Sequence, residues 1–392
     1  MWKVILLFDT SGAASRRTIQ GIARYSNLHG QWVFFREPPF YMVTNGKLKT
    51  IKKLPDLGDQ RADGIIAHIA YTRNGSQFIP EGIPAIVSPY SIRQFPHFRN
   101  LVTDNVALGK MAAEYFLNHG FRNFAYCGFG GMYWSRDRGE SFAKRIAKAG
   151  FTTHFYQYGQ SQMRNKSSKA DNQALLAEWL KSLPKPLAVM ACNDDRGQDV
   201  TEACKIAGLQ VPYDVAVLGV DNDDLVCDLT NPPLSSIAVN NERAGYEAAE
   251  LLDQLMSGKK PSKQVIVARP THVVTRQSTD VFAAEDMEVG KALRFIHEHA
   301  KELIRVDEVV NAAALSRRVL ERRFRQSLGR SILEEIRRVR IEQVIRLLIG
   351  TNMSISQIAD ALGYPGVEHI ARYFRQEKGM SLLVYRKQYG QK

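Results

Sequence analysis

Residues 354–388 read SISQIADALGYPGVEHIARYFRQEKGMSLLVYRKQ, and the reading of this stretch decides the fold of the C-terminal part. Ser354-Ile-Ser-Gln357 has the form of a capping box, in which a serine hydroxyl and a glutamine side chain each satisfy a backbone N–H of the helix start. Met353 and Ile358 stand where a hydrophobic staple closes around such a box. The apolar spacing predicts a helix over 356–362 that stops at Gly363, a residue free to take the left-handed conformation of a helix end. Pro365 restarts a helix that ends near Gly379. Two helices joined by a tight, glycine-containing turn make a helix-turn-helix unit.

The pattern occurs a second time upstream. At an offset of 50 residues Leu320 matches Ile370, Arg322 matches Arg372, and Phe324-Arg325 matches Phe374-Arg375. Gly329-Arg-Ser331-Ile-Leu333 likewise matches Gly379-Met-Ser381-Leu-Leu383. Val306-Asp-Glu-Val309 matches Ile355-Ser-Gln-Ile358 at an offset of 49, so the slip of one residue is confined to a turn, as in duplicated helix-turn-helix units. In the first unit Ser316 is placed to cap a helix running through Gln326. Leu320 and Phe324, four residues apart, form one buried stripe, and Arg317, Arg318, Arg322 and Arg325 fall largely outside it. Between the units, residues 332–348 keep helical periodicity for roughly 25 Å at 1.5 Å per residue. A spacer of that length suits two recognition helices held about 34 Å apart, one turn of DNA.

Charge agrees. The chain of 392 residues carries a formal net charge of +13, and residues 285–392 hold 20 Lys and Arg against 14 Asp and Glu. Five of the nine residues from Arg317 to Arg325 are arginine, unlike a solvated face on which Glu and Lys alternate. A polyanion is the implied partner.

Residues 1–278 follow another rhythm. Apolar, β-branched runs at 4–8, 32–35, 64–69, 85–88, 124–128, 187–192 and 215–220 alternate with helix-period stretches at 16–28, 108–118, 141–149, 172–183, 199–207 and 243–256. Continuous apolar strands between helices predict parallel sheets covered on both faces. The length predicts two α/β lobes with a cleft between them. A dinucleotide-binding domain is excluded by its fingerprint: after Gly128-Phe-Gly130-Gly131 the third glycine is missing, and Tyr133 stands in its place. The strand-like run ends near Gln277, and everything from Asp286 on is helical. The expected division is therefore 1–278 for the two-lobed domain, 279–285 for a linker and 286–392 for an all-α domain with two helix-turn-helix units.

The C-terminal motif resembles the signature of AraC/XylS-family transcription regulators, and 290–388 resembles their whole DNA-binding domain. Leu382 and Ile370 depart from the common Pro and aromatic of that family, both as packing changes. By position the resemblance implies groove-facing Arg317, Arg318, Glu321 and Arg322 in the first unit, and Val367, Glu368, His369 and Arg372 in the second. Arginine can pair with guanine and glutamate can accept from cytosine N4, while the plainer alternative for each arginine is a phosphate contact. In the first part, LVTDNVALGKMAAEYFLNHGFRNFAYCG and VMACNDDRGQDVTEACKIAGLQVPYDVAVLGVDNDD resemble the sugar-binding core of LacI/GalR-type regulators, which shares the periplasmic-binding-protein-like fold. No helix-turn-helix precedes the first strand of this sequence.

A polyol is recognised by carboxylates, amides and arginine, with an aromatic ring against its C–H face. Such groups follow candidate strands, where open α/β sheets bind ligands. Family position implies Arg138, Asn193, Asp194 and Asp221 as contacts to sugar hydroxyls, Trp134 as the stacking ring and Arg16 as a lesser candidate. Each has a plainer use: Asp194 or Asp195 as a helix cap, Asp221 in a surface turn, Trp134 as a plug between lobes, Arg138 in an internal ion pair.

The pairing implies a dimeric, sugar-responsive activator on double-stranded DNA, with RNA polymerase as a further partner. D-xylose is the first effector to test and L-arabinose the alternative. Sugar would close the cleft and favour the DNA-competent state. Against an enzyme stand the lack of a supported Ser-His-Asp arrangement, of H-E-x-x-H and of a P-loop; no catalytic residue, cofactor or metal is expected. A DNA binder with a vestigial effector domain remains the other class. The apolar run at the N-terminus is cut off by Asp9, no run reaches membrane length, and Cys127, Cys192, Cys204 and Cys227 have no metal or disulfide spacing; a cytoplasmic protein is expected.

Overall fold

In the computed structural model, residues 1–36, 61–69, 79–90, 93–158, 169–281 and 286–390 are described. They form two sheets followed by a helical region. The first sheet contains β1 (Lys3–Leu7), β2 (Val33–Arg36), β3 (Gly64–Ile69), β4 (Ala85–Pro89), β5 (Arg99–Thr103) and β11 (Val265–Ala268), in the order β2-β1-β3-β4-β5-β11. The second contains β6 (Asn123–Phe129), β7 (Thr153–Tyr158), β8 (Leu187–Ala191), β9 (Val215–Val220), β10 (Ser235–Val239) and β12 (Pro270–Val274), in the order β7-β6-β8-β9-β10-β12. All pairings are parallel except β10 with β12.

The helices of this part are α1 (Ala13–His29), α2 (Asn105–Asn118), α3 (Tyr133–Ala147), α4 (Lys169–Ser182), α5 (Asp194–Ala207), α6 (Asp224–Leu229) and α7 (Asn241–Met256). The expected alternation and the two sheets are present. β8 and β9 are buried at every position, which is why they read as unbroken apolar runs. Strands β5, β7, β10 and β11 are the ones the pattern did not announce. Arg99–Thr103 and Thr153–Tyr158 carry polar residues within the run, and β10 opens on two serines that are fully buried.

The helical region holds α8 (Met287–Glu298), α9 (Val306–Ala312), α10 (Arg317–Leu328), α11 (Ile332–Gly350), α12 (Ile355–Ala361), α13 (Val367–Lys378) and α14 (Leu382–Tyr389). Two cores share α11. Its first half, with Ile332, Ile336 and Val339, packs with Val309, Leu320 and Phe324. Its second half, with Ile341, Val344 and Leu348, packs with Ile358, Ile370 and Phe374. Each helix-turn-helix unit thus has its own core, joined by one 19-residue helix of roughly 28 Å.

The described residues divide into two compact units. One comprises Met1–Asn105, Gly130–Asp137 and Asn240–Arg269; the other comprises Val106–Phe129, Arg138–Val239 and Pro270–Lys392. The helical region therefore belongs to the same unit as the second sheet. Of the expected linker at 279–285, residues 282–285 lie outside the described residues. Ser278 and Thr279 are fully buried, with the Ser278 hydroxyl 2.6 Å from the Val217 carbonyl and that of Thr279 2.7 Å from Ser235 Oγ.

Candidate functional site

Four of the six expected sugar contacts lie in the second unit, at the C-terminal ends of β8 and β9 and on α3. Arg138 is 5% exposed, and its Nη1 donates to the Cys192 carbonyl at 2.5 Å. That bond holds the guanidinium with Nη2 4.0 Å from Asp221 Oδ1. Asn193 caps α5: its Oδ1 accepts from the backbone N–H of Arg196 at 3.1 Å, and its Nδ2 donates to Asp195 at 3.1 Å. The cap is therefore Asn193, and neither Asp194 nor Asp195 is used for it.

Asp194 is buried behind this group. Its Oδ2 accepts from the backbone N–H of Asp223 at 2.7 Å and its Oδ1 from the Ser236 hydroxyl at 2.5 Å. Burial and the neighbouring Asp221 push its carboxyl well above the usual carboxylate range, opposed by bonds from Ser236, Asp223 and the Cys227 thiol. Burial and Asp221 also raise Asp195. A site with two carboxylates side by side is suited to donors, which sugar hydroxyls supply.

Asp221 and Asn222 both have positive φ, 99° and 48°, a conformation that L-residues other than Asn and Asp seldom adopt. Strain of this kind concentrates at ligand clamps. Asn222 was missed by sequence reasoning, as was Arg276, whose Nη1 donates to Asn222 Oδ1 at 2.9 Å. The signal was present in the run Asp221-Asn-Asp-Asp224, which reads equally well as a surface turn.

Trp134 and Arg16 are in the first unit. Trp134 is in the first turn of α3, with its ring 6.3 Å from that of Tyr90, which is in turn 5.4 Å from His68. These three rings form an aromatic group in which the sequence singled out only Trp134. Arg16 points its Nη1 at the carbonyls of Thr10, at 3.0 Å, and Ser11. All four cysteines are buried and none is in a disulfide, and among the described residues no cluster of three or more metal-ligating side chains occurs. No described helix is long and apolar enough to cross a membrane.

The second candidate surface lies on α10 and α13. Leu320, Phe324, Ile370 and Phe374 are fully buried, which turns the opposite faces outward. Arg317, Arg318 and Arg322 on α10 are exposed, with Glu321 half-buried. Val367, Glu368, His369 and Arg372 on α13 are exposed. Arg317 also pairs with Asp307 at 3.2 Å, a contact between two exposed groups that contributes little to stability. The capping box at Ser354 is formed: its Oγ accepts from the Gln357 backbone N–H at 3.1 Å, and its own N–H donates to Gln357 Oε1 at 2.8 Å. Ser316 precedes α10 without a side-chain cap. The turn of the second unit uses Gly363 at φ 62°; in the first unit the matching Ala314 takes φ 51°.

Tyr373, half-buried on α13, has the guanidiniums of Arg372 and of Arg337 on α11 each 5.2 Å from its ring centroid. Arg340 of α11 lies 4.1 Å from the ring of Tyr364, and its Nη2 donates to the Leu362 carbonyl at 2.6 Å. This arginine–tyrosine seam ties the second recognition helix to the long helix.

Comparison with known proteins agrees with both halves. A periplasmic binding protein-like domain matches residues 113–279, and a helix-turn-helix domain matches 309–388. The xylose operon regulatory protein of Haemophilus influenzae is 30% identical over 98% of this chain and 98% of its own length. That of Escherichia coli K12 is 29% identical over 98% and 96%. Among solved structures, a xylose-binding transcription activator superposes with a TM-score of 0.60 at 26% identity, covering 99% of this chain and 98% of that one. A LacI-type regulator from Alkaliphilus metalliredigens, complexed with D-xylulofuranose, shares the fold of the first part, with a TM-score of 0.52, 16% identity and coverage of 71% and 98%. The periplasmic-binding-protein-like fold and the helix-turn-helix fold are thus joined along one chain, as in the xylose operon regulatory proteins, and the chain belongs to their family.

Proposed function

We propose that this chain is a transcription activator that binds double-stranded DNA through α10 and α13 in response to D-xylose. The carrying observation is similarity along the whole length to xylose regulators, so that both the effector half and the DNA-binding half are matched in one relative. The polar group of Arg138, Asn193 and Asp221 contacts the sugar hydroxyls, since arginine, amide and carboxylate together satisfy both the donors and the acceptors of a polyol. Trp134 stacks on the sugar. Arg16 is the weakest of the candidates, because backbone carbonyls of its own loop already engage it.

On the DNA side, Arg317, Arg318, Glu321 and Arg322 read one major groove and Val367, Glu368, His369 and Arg372 the next. The active form is a homodimer in the cytoplasm that recruits RNA polymerase, and sugar acts by binding the DNA-competent conformation more tightly than the other.

The test is thermal stability of the full chain with a panel of pentoses, on the wild type and on Asp221→Ala. At 100 times its dissociation constant a ligand stabilises the state that binds it by about 2.7 kcal/mol. A melting shift with D-xylose that Asp221→Ala abolishes is the expected result. A shift with L-arabinose alone would replace the effector and keep the regulator. Silence across the panel, with DNA binding intact, would leave a DNA binder indifferent to sugars.

A further inference from the structure

Family position marks Asp194 as a sugar contact, yet its oxygens are already committed inside the protein. We propose instead that Asp194 is a positioning residue: its buried carboxylate fixes the turn Asp221–Asn222–Asp223 in the left-handed shape that presents Asp221 to the sugar. The proposal rests on the reading of Asp221 as a sugar contact.

The three successive backbone N–H groups of this turn each have a defined acceptor. That of Asp221 goes to the Ile237 carbonyl at 3.0 Å, and that of Asn222 to Ser236 Oγ at 3.0 Å. That of Asp223 goes to Asp194 Oδ2 at 2.7 Å. Ser236, having accepted from Asn222, donates its own proton to Asp194 Oδ1 at 2.5 Å. Two of the three tethers therefore end on one carboxylate, directly or through one hydroxyl. A carboxylate that accepts two such bonds and is only 3% exposed presents little surface to a ligand.

The turn needs this hold, because positive φ at two consecutive non-glycine residues is a conformation the chain leaves unless its N–H groups are tied down. The packing also makes room for the carboxylate. A Cβ at Gly219 would stand 2.2 Å from Asp194 Oδ1, so any other residue at 219 would push the carboxylate out of place. Helix capping is no alternative explanation, since Asn193 does that work.

The experiment is calorimetric titration of D-xylose into the full chain for the wild type, Asp194→Asn, Asp221→Asn and the double variant. Asparagine keeps the shape but places an N–H₂ against one of the two donors. The expected result is a loss of affinity of roughly tenfold for Asp194→Asn, as for a buried donor left unmatched. In the double variant, affinity falls no further than in Asp221→Asn alone, because Asp194 acts only through the turn. Ser236→Ala, which keeps the carboxylate and removes one relay, gives a smaller loss that also vanishes in the Asp221→Asn background; it serves if Asp194→Asn does not fold.

Additive losses would mean that Asp194 meets the sugar independently, and would overturn the proposal. So would undiminished affinity in Asp194→Asn beside a large loss in Asp221→Asn. If Asp221→Asn itself binds D-xylose normally, the sugar-contact reading of Asp221 fails and the positioning role falls with it, a result separable from the other two.

Discussion

Arg330 clasps Asn118 twice: its Nη1 donates to the side-chain oxygen at 2.8 Å and its Nη2 to the backbone carbonyl at 3.1 Å. The two residues are 212 positions apart. Asn118 ends α2, in the same unit as the second sheet, and Arg330 follows Gly329, which closes the first recognition helix. The Nε of the same guanidinium lies 2.5 Å from Glu335, a fully buried carboxylate on α11 that Arg338 also holds at 2.8 Å. Burial alone would raise the Glu335 carboxyl, but Arg338, His297 and Arg330 around it draw it well below the usual range. One arginine therefore connects the α/β part, the end of the first recognition helix and the start of the long helix.

Arg330→Ala is expected to destabilise the chain by about 1–3 kcal/mol, the cost of leaving polar partners buried and under-satisfied. It should also reduce the ratio of DNA affinities with and without D-xylose, since the contact joining the two functions is gone. Fluorescence anisotropy with a duplex selected by the wild type from a random pool, at saturating and zero sugar, measures that ratio. An unchanged ratio would remove Arg330 from the coupling.

His119 gives stability a pH dependence. It is 5% exposed, and burial, then the nearby His297, pushes its pKa from 6.5 down to about 3. The unfolded chain takes up this proton below about 6.5 and the folded chain does not until about 3. Its contribution is therefore complete above 6.5 and is lost as pH falls, by ~1.4 kcal/mol per unit, or ~2 kcal/mol at pH 5. Urea unfolding of the wild type and His119→Gln at pH 7.5, 6 and 5 should show a shallower slope in the variant. Equal slopes would assign the dependence to other groups.

Ala314 stands at φ 51° where the second helix-turn-helix unit has Gly363. A left-handed alanine costs about 1–2 kcal/mol, and the extra freedom glycine brings to the unfolded chain offsets roughly half of that. Ala314→Gly is therefore expected to stabilise the helical region by about 0.5–1 kcal/mol without changing DNA affinity. A lower melting temperature in the variant would show that Ala314 is held there without strain.

Tyr373 should matter to DNA binding through the arginines beside it. Each cation–π contact at an exposed site contributes ~0.5–1 kcal/mol. Tyr373→Ala, which frees both Arg372 and Arg337, is expected to weaken binding to the selected duplex by about 1–2 kcal/mol, with little loss in Tyr373→Phe. Equal losses in both variants would point to the hydroxyl instead of the ring.

The sequence by itself determined the two-part architecture, the duplicated helix-turn-helix units and the buried stripes of α10 and α13. These rest on local periodicity, on caps such as Ser354 with Gln357 and on glycines at helix ends, all of which act within a few residues. The central strands β8 and β9 were legible for a related reason: burial on both faces demands an apolar run. Strand β10 was hidden because Ser235 and Ser236 are buried as hydrogen-bonding groups, which no hydropathy pattern reveals.

Only the tertiary structure decided what the polar residues do. Asn193 became the cap and Asp194 an internal acceptor because β9, β10 and α5 converge on one point, bringing Ser236 and Asp223 to residues 42 and 29 positions away. It likewise decided that the helical region is fastened to the second sheet's unit through Arg330. Hydrogen bonds between distant segments depend on where the chain returns in space, and that is settled by the packing of whole elements, not by neighbours in sequence.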